Sequence, residues 1–246
     1  MSVPQHFSIV LFDVESSGTL SGPEKVEVRR DLYEIVGGAL EQAKITQESV
    51  HREDRGDGIF LLIAADVSKR RLIDPFGTGI DEALRMRRMG DTGLRLRTVV
   101  HQGEVIRDRN GSSGPALDDA FAMLDAEEVK AALQEARQGR MALVVPDDLY
   151  RSVVRGYPQP DPDAFRMRRL ETKRGRFRTW VTVTGAREQP GSGRREPDKP
   201  PTPAAAPGMT VHNGDNVKVR RSSGFVGTNR GGTVNIGPAR RDRGDG

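Results

Sequence analysis

The chain has 246 residues, of which 35% are hydrophobic and 30% charged, and this low apolar share indicates that part of the sequence stays outside any packed core. The absence of cysteine excludes a disulfide framework, a cysteine–zinc site and a cysteine nucleophile, and the four histidines are too scattered to suggest a metal site. The net charge of +4 comes from residues 187–246, which hold 11 basic and six acidic side chains, and this argues against the nearly neutral body as a nucleic-acid-binding domain.

The N-terminal segment predicts a strand followed by a helix. Residues 7–14 form a short apolar run that is typical of a buried strand. Pro23 suits the first turn of a helix, and apolar residues then recur at helical spacing. Acidic residues follow the apolar run too soon for a signal peptide, and no run approaches the ~20 apolar residues that span a bilayer. We therefore expect a cytoplasmic protein without a membrane partner.

The rest of the first 186 residues alternates between strand and helix patterns. Further strands are expected at residues 51–64, which a Gly-Asp-Gly turn divides, and at 94–105, 141–145, 165–170 and 177–183. Helical regions are expected after residue 64, where Pro75, Gly77 and Gly79 interrupt the pattern, along a stripe at 117–136, and from Pro146. This order, βαββαβ followed by αβ and a hairpin, predicts an α+β fold: a ferredoxin-like mixed sheet with helices on one face.

The pattern changes sharply after residue 186. Residues 187–208 contain six prolines and almost no large apolar side chains, and they predict a disordered, extended linker. Residues 209–237 alternate Val or Ile with polar residues and are rich in Asn and Gly, a pattern that predicts β-structure stacked between chains. A disordered tail is the alternative, and residues 238–246 are predicted to be a disordered basic end. RNA binding by the tail arginines lacks an aromatic platform beyond Phe225.

Two aspartates at predicted strand ends are the candidates for metal binding. Asp13 ends the first strand, and the small-residue turn after it offers the backbone N–H groups of Ser16, Ser17 and Gly18 to an anion. Asp57 lies in the tight turn between two strands. Carboxylates on neighbouring strand ends can hold Mg²⁺ or Mn²⁺, which can then bind nucleotide phosphates. On spacing alone, two ordinary turn aspartates without a metal are the better explanation of the pattern.

Four segments resemble, in order, the successive motifs of class III nucleotidyl cyclase catalytic domains, and in particular an actinobacterial branch of that family. The segments are FDVESSGT, EDRGDGIFLLIA, LRLRTVVHQGEV and GPALDDAFAMLDA, and the resemblance covers about residues 7–185. It implies that Asp13 and Asp57 hold two Mg²⁺ or Mn²⁺ ions. In the family these ions activate the ribose 3′-hydroxyl of a nucleoside triphosphate for attack on the α-phosphate, and pyrophosphate leaves.

The resemblance also implies roles in nucleotide binding. Glu53 matches the family's base-selecting position, where glutamate accompanies guanine, because a carboxylate accepts hydrogen bonds from guanine N1–H and N2–H₂ but offers adenine N1 no donor. Arg178 takes the place of a phosphate-binding lysine in the final hairpin, and an arginine can clamp phosphate oxygens. The ordinary structural alternatives are a charged residue at a strand edge for Glu53 and a solvated arginine for Arg178.

The chain departs from the family in one helix. The family has a transition-state asparagine and, four residues later on the same helical face, an arginine; the matching residues here are Asp118 and Ala122. Alanine cannot stabilise charge on the α-phosphate, and an aspartate near phosphates repels them unless it is metal-bound or protonated. The metal half of the site is therefore expected to be present and the transition-state half to be absent.

Family sites lie between two subunits, and two functions follow from the missing half. A homodimer would have two incomplete sites, whereas a heterodimer with a complementary cyclase-like chain could have one complete site. The sequence therefore favours a catalytically degenerate or partner-dependent domain that binds metal and nucleotide and signals. The alternative is an active cyclase that uses GTP. The segment at 209–237 also resembles bacterial amyloid-type signalling motifs, which implies a receptor or self-assembly as a further contact.

Overall fold

The computed structural model describes residues 3–56, 58–87 and 93–186, together with the backbone of residues 228–229 and 232–233. The chain divides into two compact units, Met1–Gly191 and Ser192–Gly246. In the second unit the described residues form a short antiparallel ladder, in which Thr228–Asn229 pairs with Gly232–Thr233. The predicted linker at 187–208, the rest of 209–237 and the basic end lie outside the described residues, so the domain boundaries stay predictions.

The first unit is built on one mixed sheet of eight strands. These are β1 (Gln5–Val14), β2 (Val50–Asp54), β3 (Gly58–Ala64), β4 (Leu96–Asp108), β5 (Gly111–Ser113), β6 (Met141–Pro146), β7 (Arg166–Thr172) and β8 (Gly175–Thr184). Their order is β2-β3-β1-β4-β6-β8-β7, and β5 pairs with the end of β4 beside this path. The β4–β6 pair is parallel and the other described pairs are antiparallel, which confirms the predicted mixed sheet.

Within the described residues, six α-helices cover both faces of the sheet. They are α1 (Gly22–Gln42), α2 (Lys69–Ile73), α3 (Phe76–Met86), α4 (Pro115–Leu124), α5 (Glu127–Glu135) and α6 (Asp147–Val153). Because side chains alternate along a strand, Val10 and Phe12 of β1 pack with α1, α2, α3 and α6, whereas Ile9 and Leu11 pack with α4 and α5. The prediction of helices on one face was therefore wrong. The apolar side chains of α4 and α5 are buried against the second face of the sheet, because α1, α2, α3 and α6 cover the first.

Two predicted helical regions differ in detail from the structure. The stripe at 117–136 is two helices, because Ala126 adopts an extended conformation between them and redirects the chain. Pro75 separates α2 from α3 as expected, but Gly77 and Gly79 lie inside α3. A Cβ at Gly79 would overlap the Gln42 side chain and contact the backbone of Ala39 on α1. Glycine at this position therefore serves the close packing of α3 against α1 rather than a helix break.

The predicted start of α1 agrees with the structure. Ser21 precedes the helix, and the carboxylate of Glu24 accepts hydrogen bonds from both the backbone N–H and the hydroxyl of Ser21 at 2.7 and 2.6 Å. These bonds, the hydroxyl bond first, lower the pKa of Glu24. None of the helices in the described part of the chain combines the length and apolarity that a bilayer span requires.

Candidate functional site

Asp13 lies near the C-terminal end of β1, on the sheet face that carries α4 and α5. In register it is opposite Gly58 of β3 and Arg97 of β4. The Arg97 guanidinium forms an ion pair with the Asp13 carboxylate, and the two side chains are only 14% and 20% exposed. A Cβ at position 58 would overlap the carbonyl oxygen of Phe12, so the first residue of β3 must be glycine for the two strands to approach here.

The turn after β1 has the conformation expected of a small-residue loop. Ser16 adopts a left-handed conformation with φ 61°, and Ser17–Thr19 form a turn of 3-10 helix. Both the amide and the hydroxyl of Thr19 donate to the Ser16 carbonyl, at 3.0 and 2.8 Å, and the Ser17 side chain is buried. Around Gly18 there is open space where a side chain would begin. The three predicted anion-binding residues therefore share one ordered turn directly beyond Asp13.

Asp57, the second predicted metal ligand, lies outside the described residues, but the backbone on either side of it is described. Gly56 has φ +85°, and its N–H donates to the Asp54 carboxylate at 2.7 Å. From α1, Arg29 donates to the Gly56 carbonyl at 3.1 Å and Tyr33 donates to Asp54 at 3.0 Å. Burial, followed by the hydrogen bond to Asp54, raises the pKa of Tyr33. The turn between β2 and β3 is therefore anchored to α1.

The surroundings of Asp13 fit a divalent cation in part. The described residues contain no group of three or more acidic or histidine side chains that could hold a metal. Asp13 nevertheless offers the oxygen donor that Mg²⁺ and Mn²⁺ prefer. Its partner Arg97 also shows that a positive charge is stable beside this carboxylate. A metal site here would require that ion pair to open and a second carboxylate, for which Asp57 remains the predicted residue.

Glu53 lies on β2 with its side chain only 19% exposed. Its Oε1 atom accepts the hydroxyl of Ser112 at 2.5 Å and contacts Nε2 of His51 at 3.1 Å. Because Ser112 belongs to β5, the short hairpin of β4 and β5 lies across β2. The carboxylate that was predicted to read the base is therefore held in one orientation by its own chain.

The α4 positions that were predicted to be degenerate lie beside an arginine from another element. Asp118 and Ala122 are one helical turn apart, and Asp118 is 59% exposed. Arg174, in the turn between β7 and β8, contacts Asp118 at 3.4 Å and Asp119 at 2.5 Å. A guanidinium is therefore present next to α4 although α4 itself carries none.

Arg178 lies on the opposite face of the sheet from Asp13. It shares that face with Trp180, whose ring stacks on Tyr150 of α6 with centroids 4.0 Å apart. Both Arg178 and Trp180 contact the Asp147 carboxylate, at 3.3 and 2.8 Å, and Arg178 remains 55% exposed. The structure does not bring Arg178 together with the other predicted site residues, and no described contact marks it as a phosphate ligand.

The start of α4 lies far along the sheet from Asp13, although Phe121 later in the helix contacts Phe60, two strand positions from Gly58. The start of α4 covers Gly103, where a Cβ would overlap Ala116. Gly103 pairs with Phe7, whereas Arg97 pairs with Asp13. Six residues of extended strand separate the two positions, which corresponds to about 20 Å. Asp13 therefore lies about 20 Å from the strand position that supports the first turn of α4.

The sequence analysis missed Arg97 and Arg174. An arginine inside an apolar strand pattern requires a charged partner, and this signal could have directed attention to Arg97. Arg174 follows Lys173 in a turn where basic residues are usually solvated, so the sequence contains no comparable signal for it.

No protein-family model and no curated protein sequence matches the chain. The structure is similar to the adenylate/guanylate cyclase/hydrolase of Silicibacter pomeroyi, with a TM-score of 0.51 and 18% identity over 74% of this chain and 99% of that one. It is also similar to the guanylyl cyclase Cya2, with a TM-score of 0.50 and 16% identity over 76% and 95% of the two chains. The first unit of the chain thus has the fold of adenylate and guanylate cyclase catalytic domains.

Proposed function

We propose that this chain is a nucleotide- and metal-binding signalling domain of the cyclase type that lacks half of its own catalytic site and needs a complementary partner for turnover. The observation that carries the proposal is the face of α4, where Asp118 and Ala122 offer no side-chain donor to a developing negative charge. In a dimer of identical chains, each pairing of the two halves would include Asp118 and Ala122.

The residues around Asp13 support nucleotide and metal binding. A divalent cation held by Asp13 and Asp57 would reduce the charge of the triphosphate and favour deprotonation of the ribose 3′-hydroxyl. Arg97, released from Asp13, can donate two parallel hydrogen bonds to phosphate oxygens. The turn at Ser16, Ser17 and Gly18 offers backbone donors at the same end of β1. Glu53 favours guanine, because its fixed carboxylate accepts hydrogen bonds and donates none.

The residues on the face of α4 support the proposal that this chain alone catalyses the reaction poorly. Removal of one donor to developing charge typically lowers a rate by ~10²–10³. Here the side chain of Ala122 has no polar atom, and the Asp118 carboxylate adds negative charge where the reaction already develops it. Both effects act in the same direction, so we expect a homodimer to bind nucleotide and to turn it over poorly.

Nucleotide binding is the first test. Isothermal titration of a non-hydrolysable GTP analogue with Mn²⁺ should show binding that Asp57→Ala abolishes and that Asp13→Asn weakens, because both changes remove a carboxylate ligand. Asp66→Ala, which removes an exposed aspartate after β3, is the matched control and should bind as the wild type does. Equal binding by wild type and Asp57→Ala would remove the metal site from the proposal.

An active GTP cyclase is the second candidate function, and Arg174 is the observation that favours it. Its guanidinium lies 3.4 Å from Asp118 and could neutralise that carboxylate or supply the charge that Ala122 lacks. Cyclic nucleotide production from all four nucleoside triphosphates with Mn²⁺ separates the two candidates. A robust wild-type rate that falls in Arg174→Gln would favour the active enzyme.

The segment at 209–237 is the proposed contact with a receptor or with further copies. Its alternating Val and Asn residues support stacking, and the paired residues 228–229 and 232–233 lie within it. Arg220, Arg221 and Arg230 repel their counterparts in neighbouring copies, so a synthetic 209–237 peptide should assemble more readily at higher salt. Thioflavin fluorescence and fibre diffraction measure this, and a peptide that stays monomeric at high salt and high concentration would contradict the proposal.

A further inference from the structure

The strand β7 is the last of the sheet, and its outer edge pairs with no described strand. All of its residues pair with β8 in unbroken register, so the edge is regular and contains no bulge. The N–H of Glu171 donates to the Glu128 carboxylate of α5 at 3.2 Å and therefore points away from β8. Because backbone groups alternate in direction along a strand, those of Met167 and Arg169 also point outward. The edge thus offers donors and acceptors to a further strand.

The hairpin of β7 and β8 is strongly basic. Residues 166–178 hold seven arginine or lysine side chains and a single acidic one. Arg169 lies directly opposite Arg178 in the ladder, an arrangement in which like charges repel each other. Asp147 compensates Arg178 at 3.3 Å, whereas Arg168 and Arg169 are exposed and form no ion pair with any described residue. The edge therefore carries positive charge that the described part of the chain does not neutralise.

These two uncompensated charges lie on opposite faces of the sheet. Leu170 packs with α4 and α5, so Arg168, two residues away, lies on the same face. Met167 and Arg169 lie on the other face. A strand added to the edge would also point alternate side chains to the two faces. Two consecutive acidic residues in it would then meet Arg168 and Arg169, and an apolar residue beside them would contact the exposed Met167.

The charges also restrict which chain can occupy the edge. A second copy that added its own β7 would bring arginine side chains against arginine side chains. Residues 187–246 of this chain carry a basic excess as well. A nucleic acid would need an aromatic platform and phosphates along one face, whereas the cations here alternate between faces and the Trp180 ring is stacked on Tyr150. An acidic polypeptide from another protein fits these features best.

We infer that the outer edge of β7 binds an extended acidic segment of a partner protein by addition of a strand to the sheet. Backbone hydrogen bonds supply the affinity, and Arg168, Arg169 and Met167 select two acidic residues next to an apolar one. Three strands lie between β7 and β1 in the sheet, so this surface is separate from the residues around Asp13. The inference does not rest on nucleotide or metal binding.

The first test is fluorescence anisotropy of a labelled peptide, Thr-Val-Glu-Asp-Val-Thr, titrated with the full chain. The acidic peptide should bind, more weakly at higher salt, and the same peptide with lysine at both acidic positions should not. A chain with Arg168→Glu and Arg169→Glu should reverse this preference, because both charges change sign. Arg30→Gln, which removes an exposed arginine of α1, is the matched control and should bind as the wild type does.

Met167→Pro tests the backbone contacts separately from the charges. Proline removes the outward N–H of residue 167 and leaves the hydrogen bonds between β7 and β8 intact, as edge strands tolerate. It should weaken binding of the acidic peptide roughly tenfold, whereas Met167→Leu, which keeps the N–H, should bind as the wild type does. N-methylation of alternate peptide residues repeats the test on the unchanged protein. Methylation of the set that faces β7 should abolish binding, and methylation of the other set should not.

The outcomes decide between strand addition and the alternatives. If the acidic peptide does not bind, or binds equally after Met167→Pro and after either N-methylation, the inference is overturned and the arginines only protect the edge from aggregation. A single-stranded oligonucleotide that binds more tightly than the peptide, and loses affinity when Arg168 and Arg169 become glutamate, would also overturn it in favour of nucleic acid. Thermal unfolding of each variant close to that of the wild type shows that the fold is retained.

Discussion

His101 is a largely buried histidine on β4 that no proposed chemistry uses. Its Nδ1 atom makes no hydrogen bond within the described residues. Burial lowers the pKa of His101, and the charges of Asp148 and Asp119 oppose this shift only in part. The folded state therefore binds a proton at His101 less readily than the unfolded chain does. The His101 side chain is therefore neutral in the folded protein at physiological pH.

The free energy of unfolding should consequently fall as the pH is lowered below about 6.5, the ordinary pKa of histidine. Above that pH both states are neutral at this residue and the dependence vanishes. One proton limits the slope to about 1.4 kcal/mol per pH unit. Urea denaturation between pH 7.5 and 5 should show a smaller slope for His101→Gln, with exposed His6→Gln as control. Identical slopes for wild type and His101→Gln would contradict this account.

Asp13 and Arg97 illustrate what the sequence could predict at the scale of single residues. The end of an apolar run placed Asp13 at a strand terminus, because period and burial depend on local sequence. The pairing with Arg97 depends on the register of β1 against β4, which joins residues 84 positions apart. The local sequence pattern contains no information about that register. The sequence analysis therefore could not predict that Arg97 is the ion-pair partner of Asp13.

At the scale of elements, long periodic segments were predicted well and short or composite ones were not. The strand at 7–14 and the helix after Ser21 follow from apolar period and a proline in the first turn. The three residues of β5 have no apolar pattern, since among the described strands they pair with the end of β4 alone. This omission affected the site, because β5 carries Ser112, which holds Glu53.

The placement of Arg178 shows how strand alternation decides a role. Neighbouring residues on β8 point to opposite faces, so Phe177 and Val181 pack with α4 and α5 whereas Arg178 and Trp180 face α6. If the family motif is aligned to this strand one residue too early or too late, the matched side chain lies on the wrong face of the sheet. The turn residue Arg174, four positions earlier, lies beside α4 instead.

At the scale of the whole molecule, the residues of the two predicted half-sites belong to β1 and to α4, which packs on the same sheet. Asp13 and Arg97 lie at one end of β1 and β4, and the start of α4 lies over the other end, about 20 Å away. The helix then runs back along the sheet, because Phe121 contacts Phe60, which pairs with Leu11 two residues before Asp13. The proposed division of the site between two chains can be tested without knowledge of the natural partner.

Mixing the wild type with one triple variant should create cyclase activity that neither protein has alone. The wild type supplies Asp13 and Asp57, and the triple variant Asp13→Asn, Asp118→Asn, Ala122→Arg supplies only the two missing donors. Each alone should produce little cyclic nucleotide from GTP and Mn²⁺, whereas an equimolar mixture should exceed both by roughly 10²-fold, the contribution of one restored donor. The double variant Asp118→Asn, Ala122→Arg, with two complete sites per dimer, is the positive control. If that control is active and the mixture is not, although the chains exchange, the two halves must act within one chain.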